Sequence, residues 1–226
     1  MFTRRSVLGV TALGMASATA GCVSQLPFIG DEELAFTASP AVIPDSVLDE
    51  TGYDEQELDE LVIEESFEAG GQEQDVRVTN WQAEYDKSIE LGGIDLSVND
   101  DLRAAVCSVL STPQVNVLGR SFNPVADMST SELADMAQDR FDDMDGLEPI
   151  DETSLTILGD STTVTEFEGE AELLAEGVTV DLTLHIAEAV EAGDDLVVGV
   201  GGYPTQFADE ERENVLAMLE GIVHEE

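Results

Sequence analysis

The sequence predicts an α+β fold, an antiparallel sheet built of hairpins with helices packed on one face as a two-layer sandwich. Three observations carry that prediction. Several segments alternate apolar and polar residues with period 2 and meet at glycine turns. Two other segments repeat at 3.6 residues and start with helix-capping chemistry. The elements run as hairpin strands, a helix, more hairpin strands and a final helix, and no repeat of 20–50 residues interrupts them.

In chain order, Pro44 and the acids behind it predict a short helix over residues 45–50. Residues 58–67 and 75–89 flank Glu68-Ala69-Gly70-Gly71-Gln72 and read as a hairpin with a glycine turn, with Trp81, Ala83 and Tyr85 on one face of its second strand. Residues 102–110 (LRAAVCSVL) form an apolar strand. Ser129-Thr130-Ser131-Glu132 is a capping box. The helix it opens carries Leu133, Met136, Ala137, Arg140, Phe141 and Met144 on one stripe and stops near Gly146. Residues 154–158 and 162–168 form a second hairpin around Gly159-Asp160. In residues 177–188, Val178, Val180, Leu182, Leu184 and Ile186 share one face, while Thr179, Asp181, Thr183 and His185 share the other, as in a half-buried strand. A turn over residues 189–195 leads to residues 196–202, apolar on both faces like a central strand, with glycines that admit a helix or another backbone closely. The last helix follows Ala208-Asp209-Glu210-Glu211, acids suited to a positive helix N-terminus, and its buried stripe is Val215, Met218, Leu219 and Ile222.

Charge separates the chain into two parts. The 50 acidic residues against 8 basic ones give a net charge of −42, yet 42% of residues are hydrophobic and they are periodically ordered, which argues against disorder. Lys87 is the only lysine. This composition reads as adaptation to molar salt, where a Debye length of about 3 Å silences repulsion between surface carboxylates. It also excludes nucleic acid as a direct partner, because a phosphate backbone would be repelled.

No acid precedes Asp31. Residues 1–21 open with Thr3-Arg4-Arg5-Ser6-Val7-Leu8, continue weakly apolar, and end at Thr19-Ala20-Gly21 before Cys22. That describes a removable signal peptide rather than a membrane span, which needs about 20 apolar residues. Arg4 and Arg5 look like a twin-arginine signal, and the small residues before Cys22 resemble a lipoprotein box. The alternative is a chance cysteine in a signal cut near Ala20. The expected organisation is a signal over residues 1–21, lipidated Cys22 with a short tether through residue 33, and one α+β domain over residues 34–226. The expected location is the cell membrane, lipid-anchored and facing the extracellular side, the membrane being the first partner. Cys107, left alone within an apolar strand, reads as a buried structural thiol.

Catalytic groupings do not assemble from the sequence. His185 reads as an exposed residue on a polar strand face, and His224 as a cation capping the last helix. Phe141-Asp142-Asp143-Met144-Asp145-Gly146 with Glu152 imitates a calcium loop, but Phe141 occupies the position that needs an acid. No catalytic residue, metal site or cofactor is therefore assigned. Asn80, Trp81 and Tyr85 with Phe122 and Asn123 are the most unusual polar-aromatic stretches, and they form the candidate ligand groove. The favoured reading is a non-enzymatic module for a surface protein or polymer, ahead of a structural envelope role. The alternative is a hydrolase-type enzyme with paired carboxylates.

One resemblance can be named. The leader through Cys22, Phe36-Thr37-Ala38-Ser39-Pro40-Ala41, Glu50-Thr51-Gly52-Tyr53 and Thr79-Asn80-Trp81-Gln82-Ala83-Glu84-Tyr85 carry it. So do Leu110-Ser111-Thr112-Pro113-Gln114-Val115, Ser121-Phe122-Asn123-Pro124-Val125 and Gly202-Tyr203-Pro204. With these residues the chain resembles a family of haloarchaeal lipoproteins classed as a domain of unknown function. The resemblance implies export, a lipid anchor and salinity, and it implies no chemistry.

Overall fold

The computed structural model describes residues 33–69, 72–88, 90–91, 94–95, 105–117, 120–121, 125, 128–140, 144–173 and 178–224. The expected signal peptide, with Arg4 and Arg5, lies outside the described residues, as does Cys22 with the tether up to Glu32. So do Phe122 and Asn123.

The strands are β1 (Leu34–Thr37), β2 (Ala41–Val42), β3 (Asp54–Ala69), β4 (Gln72–Lys87), β5 (Glu90–Leu91), β6 (Ile94–Asp95) and β7 (Ala105–Pro113). They continue as β8 (Asn116–Val117), β9 (Arg120–Ser121), β10 (Met144–Ile157), β11 (Asp160–Leu173), β12 (Val178–Ala187), β13 (Val190–Ala192), β14 (Asp195–Pro204) and β15 (Val223–His224). The helices are α1 (Asp45–Thr51), α2 (Thr130–Arg140) and α3 (Ala208–Glu220), with a 3₁₀ turn at Thr205–Phe207 before α3. The main sheet has nine strands and follows the path β1-β4-β7-β14-β12-β11-β10, with β3 on β4 and β13 on β14. Every pairing in it is antiparallel except β1 with β4, so the fold is α+β on a mixed, mostly antiparallel sheet.

Local chemistry explains much of this. The β10–β11 turn places Leu158 (φ 52°) and Gly159 (φ 91°) in the left-handed region, the geometry of a two-residue hairpin whose twist matches its strands. Glycine is natural there and Leu158 is strained. The capping box forms as read: Glu132 accepts from the Ser129 backbone N–H at 2.9 Å and from its hydroxyl at 2.8 Å. Those two bonds hold the exposed Glu132 carboxyl below its ordinary pKa. Strand β14 is central, between β7 and β12, and its glycines seat α3. A Cβ on Gly201 would stand 2.4 Å from Val215 Cγ1, and one on Gly199 would stand 2.5 Å from Leu219 Cδ2.

Three expectations are corrected. The helices do not share one face. Val197 and Ala187 pack with Val215, Met218 and Leu219 of α3, whereas their neighbours Val198 and Ile186 pack with Leu133 and Ala134 of α2. Adjacent strand residues point to opposite faces, so α1 and α3 cover one side and α2 the other. The physical reason lies in the central strands: both faces of β12 and β14 are buried, and each needs a cover. Second, α2 ends at Arg140, and Met144 instead opens β10 opposite Ala171; the helical spacing of Met144 is coincidental. Within α2 it is Leu133 and Ala134 that are buried, and Met136 is exposed. Third, β12 is not half-exposed, because Thr183, His185 and Ala187 on its second face are buried too.

Candidate functional site

The residues expected to line one groove are divided by the pleat of β4. Asn80 points to the α2 side, buried at 4% exposure, and its Nδ2 donates to the Leu61 carbonyl at 3.0 Å. Trp81 and Tyr85 point to the opposite side. Tyr85 is fully buried, and its hydroxyl accepts the Ile43 backbone N–H at 2.8 Å; burial pushes its pKa up to about 12. Trp81 is half-buried opposite Glu60 of β3. Asn80 and Tyr85 are thus structural, and of the three described members Trp81 reaches the surface. On its face the hairpin also exposes Leu58 (37%) opposite Ala83, and Val62 (41%) opposite Thr79. Ile63 is exposed on the other face.

The charged chemistry of the molecule lies elsewhere, in a polar layer under the start of α3. Lys87, at the end of β4, donates to Glu211 Oε1 at 2.6 Å, and the Tyr53 hydroxyl donates to Glu211 Oε2 at 3.0 Å. Glu211 is 2% exposed, so the ion pair is sealed from solvent on its acidic side. The Lys87 ammonium also lies 5.8 Å from the Tyr53 ring centroid. Burial, and then the Glu211 carboxylate, raise the Tyr53 pKa and keep the phenol protonated. One residue on, Arg212 donates to Glu166 of β11 at 3.0 Å and to Thr153 of β10 at 3.3 Å. The first turn of α3 therefore reaches β4 on one side and β10–β11 on the other.

Both histidines differ from their sequence reading. His185 is 1% exposed, and its Nε2 lies 2.8 Å from the Tyr203 hydroxyl. Burial lowers its pKa to about 4, against the opposing pull of Glu166, so the ring is neutral at pH 7. Tyr203 is held protonated by the same burial. A histidine flanked by Thr183 and Asp181 looks exposed in sequence because the helix that covers it, α3, begins more than twenty residues later. His224 does not cap α3; it lies in β15 with its Nε2 3.0 Å from Asp195 Oδ2. Cys107 is buried and unpaired with any cysteine, and burial pushes its thiol up to about 12, as a structural thiol requires. Among the described residues, no group of three or more His, Cys, Asp or Glu converges as a metal site. None of the described helices is long and apolar enough to cross a membrane.

Neutral imidazole and protonated phenols sit in the core with short internal partners, the protonated thiol of Cys107 is buried, and the exposed surface of the hairpin is apolar and acidic.

No curated protein matches the chain. A family model described as a domain of unknown function, DUF6517, matches residues 40–223, from just before β2 into β15. With all three helices and every strand but β1 within reach of that match, the chain belongs to the DUF6517 family.

Proposed function

We propose that the chain is an extracytoplasmic lipoprotein of a salt-adapted cell, of the haloarchaeal kind, held at the outer membrane surface by a lipid on Cys22. Its domain acts as a non-enzymatic binding module that offers hairpin β3–β4 to a surface protein or polymer. The anchoring reading rests on the acid-free leader ending at Cys22 and on the twin-arginine pair Arg4-Arg5. Two acyl chains would anchor stably at roughly 0.8 kcal/mol per buried CH₂.

The binding reading rests on one observation. Leu58 and Val62 flank half-buried Trp81 on one hairpin face, and β3 pairs with β4 alone among the described residues. A sole tryptophan beside exposed aliphatic side chains is the composition of a contact patch.

Two experiments test the two halves. Replacing Cys22→Ser should release the protein from membranes into the medium at constant high salt; retention after washing would end the anchor reading. Exchange of Arg4 and Arg5 for lysine should block export, and normal export would point to another route. Cross-linking on intact cells should then give a defined adduct with the native chain and none with the Leu58→Lys, Val62→Lys variant. Equal adducts from both would remove the hairpin from the reading.

A further inference from the structure

The binding reading makes no use of the junction of the two chain ends. Strand β2 pairs with β15, Val42 opposite Val223 and Ala41 opposite His224. Beside that pair, Asp195 Oδ2 receives two contacts: the Ser39 backbone N–H donates to it at 2.8 Å, and His224 Nε2 lies 3.0 Å away. A carboxylate only accepts, so Nε2 carries the proton of that bond. The His224 and Asp195 side chains are 11% and 8% exposed. Asp195 opens the central strand β14, opposite Pro113, and the adjacent Asp194 carbonyl accepts the Gln114 backbone N–H at 2.8 Å. The acceptor therefore stands at the first residue of the central strand, and its two donors come from segments 185 residues apart in sequence, Ser39 and His224.

A buried carboxylate that loses one of two donors is left under-satisfied, and that penalty is carried by whatever remains bound to it. The two donors are also covalently close to the β2–β15 ladder: Ser39 precedes β2 by two residues and His224 lies within β15. Losing either segment from the sheet thus strips the other of its ladder and destabilises the shared carboxylate. We propose that residues 39–42 and 223–224 form a single conformational opening unit, keyed by Asp195 Oδ2, so that the two segments open together or stay together. Flanking bonds confine the event. The Ala38 backbone N–H donates to the Thr79 carbonyl at 3.0 Å on one side, and Ile43 is tied to Tyr85 on the other. The consequence is that His224, in the last strand, fixes the path by which residues 39–42 enter the domain. This holds whether or not Cys22 is lipidated.

Amide hydrogen exchange of the full chain in molar salt tests the coupling, because it reads each segment separately. Asp195→Asn should speed exchange at Ser39, at residues 41–42 and at residues 223–224 by one common factor. His224→Ala should speed the Ser39 amide by roughly 10- to 100-fold, the worth of a hydrogen bond to a charged group. His224→Gln retains a side-chain N–H donor and should recover most of the protection. Amides of β11 and β12 should not change in any of the three. Faster exchange at residues 223–224 with an unchanged Ser39 would overturn the proposal, since the two segments would then open independently. Uniform acceleration across the sheet, or His224→Gln as loose as His224→Ala, would equally reject it, leaving His224 an ordinary packing residue.

Discussion

Carboxylates occupy two contrasting environments in this domain, the hairpin β3–β4 and the layer beneath α3. Along β3, Asp54, Glu55, Glu57, Asp59, Glu60, Glu64 and Glu65 are all exposed, and one ion pair formed there, Glu64 with Arg77, is itself half in solvent. Beneath α3, Glu211 is sealed and takes both a lysine and a tyrosine, and Glu166 takes Arg212. The sole lysine of the chain is placed there rather than on the surface. The difference teaches that net charge and specific charge do separate work. The exposed acids act collectively through a field that salt abolishes. The buried acid acts singly, through contacts that salt hardly screens, and is tolerated only because its oxygens are satisfied.

Withdrawing salt should give the largest effect, because it loads only the exposed set. The domain should be folded in molar KCl and lose structure on dialysis to dilute buffer, as the Debye length grows from about 3 Å toward about 30 Å at 0.01 M. Circular dichroism against salt at pH 7 reads this directly, and a signal indifferent to salt would show that the surface acids serve solubility alone. Glu211→Ala comes next, and it should cost about 3–5 kcal/mol in denaturant unfolding at fixed high salt, since it removes the acceptor of the buried Tyr53 hydroxyl and leaves Lys87 to the exposed Glu210 at 3.6 Å. A loss below about 1 kcal/mol would erase the distinction between the two regions.

Acid should act on the buried layer through His185. Its folded pKa, about 4, lies below the ordinary value of 6.5, so the unfolded chain binds the proton first. The stability that the neutral ring contributes is complete above pH 6.5 and is lost as pH falls toward 4, by up to about 3 kcal/mol at 1.36 kcal/mol per unit. Unfolding in molar salt at pH 7, 5.5 and 4.5 should show this decline, and His185→Gln should flatten it. In dilute buffer the exposed acids should work the other way, with mild acidification relieving repulsion. Gly201→Ala should cost about 1–3 kcal/mol, because Val215 must retreat from the new methyl group. Smallest of all, Glu60→Gln or Glu65→Gln should stay within about 0.5 kcal/mol in molar salt. A larger loss from either would mean that β3 contains a specific contact.

What was legible in the sequence follows the range of the interactions involved. Both hairpins, the capping box, the central strand with its helix-facing glycines and the buried stripe of α3 depend on residues a few positions apart, and each left a local pattern. The second covered face of β12 left none, because Thr183 and His185 are polar and their cover, α3, comes later in the chain. The partner of Lys87 is equally distant, at Glu211. The parallel pairing of β1 with β4 has no local signature either. Within the expected groove, Asn80 and Trp81 are neighbours on one strand and face opposite ways, a separation that the period of the strand already carries. Its remaining members, Phe122 and Asn123, lie outside the described residues.

The strand order also dictates a sequence of events. Hairpins β3–β4 and β10–β11 join neighbouring stretches of chain, whereas the middle of the sheet joins Val106 of β7 to Gly202 of β14. Closing so long a loop is slow, and its entropy is lost before any contact rewards it. The hairpins should therefore form early and the centre last, once α3 can settle on Gly199 and Gly201. A nascent chain halted before residue 195 would hold β7 without its central neighbour, with Val109 and Cys107 uncovered by α3, and would depend on rapid completion to avoid aggregation.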